Sequence, residues 1–244
     1  MRVRAAFIAG LAALAAAADA QAATWQVTGT GDGGTCNAQT LRCDSLRAAI
    51  AASEATKEEA DTIHVPAGVI NVATDLVIQS DITIIGASAR TTIIDGNLKS
   101  RGFRVTATGN AKISHLTVRN GDATQGSSID GGGILNLGGV VQLDTVRVTG
   151  SRASGRGGGI ANVEGGLSLV NGLIDNNMAG RGGGIANVGG PEPADRGLLI
   201  VTTATITKNS AGDGGGGGID SQGSGNVVLL NTSTVADNAG GVRG

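Results

Sequence analysis

Tyrosine is absent from this 244-residue chain, and Phe7, Trp25 and Phe103 are its only aromatic side chains. Rings usually supply much of a globular core's volume, so a core here must be built from Val, Ile, Leu and Ala. A sugar-binding groove that stacks on rings has only Trp25 and Phe103 to draw on. Histidine occurs twice, at His64 and His115, in neither a Ser-His-Asp order nor a His-Glu-x-x-His motif. The two lie 51 residues apart and share a column if that is two turns of a repeat; a satisfied or surface role is the simpler reading. Basic residues are not in excess, which disfavours nucleic acid and anionic lipid as partners.

Long apolar runs are also missing, with one exception. Arg2 and Arg4 precede an apolar stretch from Ala5 to about Ala18, and Ala20-Gln21-Ala22 offers a small-residue cleavage site. Residues 1–22 therefore read as a secretory signal peptide of bacterial type. The stretch is short for a membrane anchor, and nothing later is apolar enough to make a transmembrane segment in the mature chain. Loss of Arg2, Arg4 and Asp19 from the 18 basic and 20 acidic side chains leaves 16 and 19, a net charge of −3. Export makes a disulfide between the only two cysteines, Cys36 and Cys43, chemically reasonable. A metal or redox pair needs further ligands or a Cys-x-x-Cys spacing.

What the chain has in abundance is glycine, 43 residues of it. There is no every-third period, so it is not collagen, and the apolar content is too regular for disorder. Residues 23–60 predict a strand at Thr24 to Thr28, a Gly-rich loop and one helix. Asp44 or Ser45 caps that helix, and Leu46, Ala49, Ile50 and Ser53 share a face. From 61 to 244 the pattern becomes short β-rich pieces, such as Leu76 to Ile78, Ile82 to Gly86 and Phe103 to Val105.

The repeat is explicit after residue 110. Gly-Gly-Gly-Ile occurs at Gly131, Gly132, Gly133, Ile134; at Gly157, Gly158, Gly159, Ile160; at Gly182, Gly183, Gly184, Ile185; and at Gly216, Gly217, Gly218, Ile219. The isoleucines are 26, 25 and 34 residues apart, the longest interval holding Pro191 to Asp195 as an insertion. Two residues beyond each isoleucine stand Asn136, Asn162, Asn187 and then Ser221; a second column is Asn177, Asn209 and Asn238. Glycine turns corners at φ > 0 without steric cost. Stacked coils bring like positions to about 4.8 Å, where asparagines pass amide hydrogen bonds from coil to coil. One coil cannot bury its own face, so several must stack. The expected fold is all-β: a single-stranded right-handed parallel β-helix of about seven coils, with the helix as an N-terminal lid. Gly240 to Gly244 stops where another glycine corner should begin, which predicts an incomplete solenoid or end-to-end association.

The segment Cys43-Asp44-Ser45-Leu46-Arg47-Ala48-Ala49-Ile50 resembles the Cys-Ser-Leu-Arg-Glu-Ala-Ile signature of secreted bacterial β-helix proteins. Here Asp44 is inserted and Ala48 replaces the glutamate. The Gly-Gly-Gly-Ile and Asn repeats are similar to those of polymorphic outer-membrane, adhesin-like proteins. The resemblance implies a secreted or surface β-helix and carries no reaction with it.

Polysaccharide lyases need clustered carboxylates and an Arg or Lys base, and glycoside hydrolases need close acid pairs. The acids on strands or corners are Asp81, Asp95, Asp130, Asp144, Asp175 and Asp220, and their spacing gives no evident shared face. Gly215 to Asp220 fits the start of a calcium-binding β-roll repeat, but the other three copies lack the aspartate, so Asp220 is a weak calcium candidate and no cofactor is expected. The expectation is a non-catalytic, adhesin-like or structural module that meets an extracellular protein or carbohydrate surface through loops 120–130 and 190–197. The rival is a carbohydrate-active enzyme, a pectate-lyase-like polysaccharide lyase or a glycoside hydrolase.

Overall fold

The structure, a computed structural model, describes residues 22–56, 60–126, 128–192, 195–212 and 214–241. The expected leader lies outside these but for Ala22, as do Lys57, Glu58 and Glu59.

From Asp61 onward the chain is a parallel β-helix. One coil shows the plan. Val140–Asp144 lies in a first sheet, Arg147–Thr149 in a second, Arg152–Ala153 in a small corner sheet and Ile160–Val163 in a third, after which Gly166–Val170 opens the next coil. The second sheet has seven strands and the third has six. Six coils therefore close and a seventh begins, in line with the repeat. Among the described residues no helix is long and apolar enough to cross a membrane.

Residues alternate in and out along each strand, and the register stacks the inward ones on their own kind. Ile63, Ile84, Ile113, Leu143, Leu169, Val201 and Leu230 form one column. Ile70, Ile94, Val118, Val148, Ile174, Ile206 and Val235 form a second. Each buried Ile or Leu contributes roughly 1.5–3 kcal/mol. In the last described coil the columns lose cover: Leu230 is 51% exposed and Val235 41%, against 0% for Val201 and Ile206.

Coil length is less uniform than the glycine repeat suggests. It runs from 21 residues (Ile63 to Ile84) to 32 (Leu169 to Val201). The excess sits in corners, outside the ladders. Val163 to Gly166 is a three-residue step, whereas the stacked step from Val188 to Leu198 takes ten and holds the expected insertion.

The lid forms as expected, with two refinements. The first strand is longer, Thr24–Gly31, because it pairs with both Arg42–Ser45 and Asp61–Val65. Of the two possible caps of the helix Leu46–Thr56, Ser45 is the one: its Oγ accepts the Ala48 N–H at 3.1 Å, while Asp44 binds the Thr35 N–H. Leu46, Ala49, Ile50 and Ser53 are the buried face. Arg47 clasps Asp32 with Nε and Nη2 and reaches the Thr74 and Asp75 carbonyls, and Glu54 accepts the Gln79 and Ser80 N–H groups. Cys36 and Cys43 are joined as a disulfide.

One set of corners departs from the expectation that glycine turns them. Between the first and second sheets the left-handed residue is His115, Thr145, Asn171, Thr203 and Thr232 in successive coils, at φ 48–56°. Such a conformation costs an L-residue roughly 1–2 kcal/mol, and β-branched side chains bear it worst. At four of these five corners the N–H is held by the next coil, which supports the conformation: His115 to Asp144 O, Thr145 to Val170 O, Asn171 to Thr202 O, Thr203 to Asn231 O. Thr203 is exposed, so Thr203→Asn should raise stability by about 1 kcal/mol, seen as a higher urea midpoint at unchanged slope.

Candidate functional site

The three glycines of each repeat have three different reasons. The first turns the corner: φ is 67°, 68° and 61° at Gly131, Gly157 and Gly182, and in the fourth copy it is Gly214 (70°), ahead of Gly216, that is left-handed. The second and third, Gly132, Gly158, Gly183 and Gly217 with Gly133, Gly159, Gly184 and Gly218, are there for closeness. A Cβ on Gly158 would stand 2.5 Å from Gly183 O, and one on Gly159 would stand 2.6 Å from Gly184 O. The third glycine also makes room for asparagine: Asn177 Nδ2 lies 3.0 Å from such a Cβ on Gly159, and Asn209 Nδ2 the same from Gly184. Ile134, Ile160 and Ile185 are fully buried, with Ile219 packed against them. Phe103 occupies the same column one coil earlier, preceded by a single close-packed glycine, Gly102, in place of three.

Both asparagine columns are continuous. Asn136 Nδ2 donates to Asn162 Oδ1 at 2.7 Å, Asn162 to Asn187 at 2.8 Å, and Asn187 to Ser221 Oγ at 3.4 Å. Each also donates to its own turn, at Gly139 O, Gly165 O and Gly197 O. In the other column Asn177 and Asn209 donate to the next Oδ1 by both backbone N–H and Nδ2, ending at Asn238. Ser151 heads that column, its N–H bound to Asn177 Oδ1 and its Oγ to the Gly121 N–H. The ladders satisfy buried backbone and leave no group free for a ligand.

The acids named from the sequence, Asp81 apart, are occupied as well. Among the described residues seven Arg–Asp pairs join neighbouring coils, including Asp95 with Arg119 (2.6 Å), Asp130 with Arg156 (2.8 Å), Asp175 with Arg147 (2.6 Å) and Asp122 with Arg152 (2.7 Å). Burial alone would raise the pKa of Asp95. The Arg119 bond and charge, the Asn97 N–H and the Asn120 amide outweigh it, and the carboxyl sits below its ordinary range. Asp122 is lowered in the same way: burial is outweighed by Thr124 and Arg152. Asp220 faces Arg181 at 3.4 Å and takes bonds from Gln222 and the Gly216 N–H. Asp144 holds Thr145 and Asn171, and Asp81 lies on the first sheet's outer face. Among the described residues no three His, Cys, Asp or Glu side chains converge. The histidines do not share a column: His64 stacks over Ile85 and then Ser114, and His115 is the neighbouring corner.

Two of the surface hollows lie beside loop 120–130 and the paired arginines. One, of about 480 Å³, lies beneath loop 120–130 and is walled by Asp75, Lys99, Arg101, Arg104 and Asp122. Arg101 fixes that loop, donating to the Ser128 and Asp130 carbonyls and to Asp75. The other, of about 540 Å³, runs over the outer face of the second sheet, with Arg90, Thr117, Arg119, Arg147, Thr149 and Asn171 in its lining. Corner-sheet pairing at Asp122–Ala123, Arg152–Ala153 and Met178–Ala179, closed by a separate alanine core, separates the two faces. That sheet is absent from the sequence reading, since two-residue strands leave no periodicity; the recurring alanine is its one trace. No family model, curated protein or solved structure matches the chain.

Asn162→Ala orphans the Asn187 Oδ1 and Gly165 O at full burial, an expected loss of about 2–4 kcal/mol. Asn238→Ala, at the partly exposed end, should cost about 1 kcal/mol; urea unfolding of both variants compares them. Asp95 and Asp122 have depressed pKa values in the fold, so their contribution is complete above the ordinary Asp range and is lost as pH falls through the lowered values. Thermal stability should hold from neutrality to about pH 4 and then drop, and Asp95→Asn should shrink the drop.

Proposed function

We propose that the chain is a secreted or surface-displayed β-helix that works as a rigid, non-catalytic, adhesin-like module. The observation that carries the proposal is the pairing of acids with arginines across coils. A hydrolase needs a carboxyl held protonated beside one held ionised. Here Asp95 and Asp122 are driven in one direction, toward permanent ionisation. A lyase needs carboxylates free to take a metal, and Asp130, Asp175 and Asp220 each face a guanidinium.

The Cys36–Cys43 disulfide supports an oxidising location, as the signal-peptide pattern of residues 1–22 does. Loop 120–130, pinned by Arg101, and the insertion between Val188 and Leu198 are the surfaces that meet an extracellular partner.

Incubation with pectic, alginate and glycosaminoglycan polymers, with and without calcium, should release neither unsaturated products nor new reducing ends. Turnover on any of them establishes the rival, a polysaccharide lyase or glycoside hydrolase.

A further inference from the structure

The groove on the second sheet owes its shape to two arginines that lean apart. Its floor is two outward columns. One runs Ile93, Thr117, Arg147, Leu173, and the other Asp95, Arg119, Thr149, Asp175. Arg119 turns back to Asp95 in the preceding coil, and Arg147 turns forward to Asp175 in the following one. Thr149 and the half of the floor between them are left uncovered. Exposed Arg90 and Asn171 stand along the corner side.

These pairings do not exhaust the guanidiniums. Arg119 gives Asp95 only its Nε, and Arg147 gives Asp175 its Nε and Nη2. Arg119 and Arg147, with Arg90, line one continuous trough. It spans four coils, roughly 14 Å from first to last at the interstrand spacing.

We infer that this trough binds a linear uronate-bearing oligosaccharide laid along the solenoid axis. Carboxylates match the fork of a guanidinium, and hydroxyls suit Thr149 and Asn171. The coil pitch is comparable to the rise of an extended pyranose chain, so successive sugars meet successive coils. Neutral glycans recognised by ring stacking are excluded from this groove: Trp25 and Phe103 are 5% and 0% exposed. An acidic peptide adding as a strand is excluded too, because each strand of the floor is already paired on both sides. The half-buried Ile93 and Leu173 give sugar C–H faces an apolar rest at either end.

The inference rests on the proposed function only for where such a glycan is met. Calorimetric titration of the chain with trigalacturonate should show saturable, salt-sensitive binding. Arg90→Gln, at an exposed position, should weaken it about tenfold, the value of one charge-assisted bond, and Arg119→Gln at least as much. Lys112→Gln, on the first sheet's outer face, should leave it unchanged, with melting curves showing each variant folded. No binding at millimolar trisaccharide, unaltered affinity in Arg90→Gln, or equal affinity for maltotriose, a sulfated trisaccharide or a hexaglutamate peptide overturns the assignment. Cleavage of the bound trisaccharide would leave the groove standing and overturn the non-catalytic reading instead, so the two failures are separable.

Discussion

Every residue in a stacked coil has its own counterpart as a neighbour, about 4.8 Å away. That constraint decides which side chains the cylinder tolerates. Isoleucine upon isoleucine is favourable, since both are dry and the contact is close. Asparagine upon asparagine is favourable for a different reason: one amide carries both donor and acceptor, so it can take from one coil and give to the next. Aspartate upon aspartate is forbidden. The chain accordingly places arginine one coil from aspartate, as at Asp95 and Arg119 or Asp130 and Arg156, and the ion pairs follow the coil spacing.

What the sequence discloses follows from the same rule. Positions stacked on like residues show as repeats, and from them the fold, the isoleucine column, both asparagine ladders and the lid helix were legible. Positions stacked on unlike residues leave no period. The Arg–Asp pairs are such a case, because partners from 24 residues apart (Asp95 and Arg119) to 39 (Arg181 and Asp220) belong to different residue types and drift with coil length. The left-handed corners are another. His115, Thr145, Asn171 and Thr203 share a backbone conformation but no single residue type, since the neighbouring coil's carbonyls support it. Gly102 and Ser151 were missed because each stands alone where later coils carry the fuller motif.

The two readings of function meet at the arginines. Pairing occupies Asp95 and Asp175 and at the same time holds Arg119 and Arg147 splayed, with the trough between them. A single device therefore underlies both proposals. Loop 120–130 is organised by a third arginine, Arg101, whose hydrogen bonds fix main chain at Ser128 and Asp130.

The asparagine ladders have a direction. Backbone N–H groups of Gly139 and Ser151 must meet oxygens, which fixes the amide orientation of Asn136 and Asn177. Along both columns the Nδ2 groups reach forward to the following coil's oxygen, while in the second column Asn177 and Asn209 also donate back, to Val148 O and Ile174 O. The cylinder thus carries two buried threads of amides whose oxygens face the lid, so its side chains, like its parallel strands, give the stack a head and a tail.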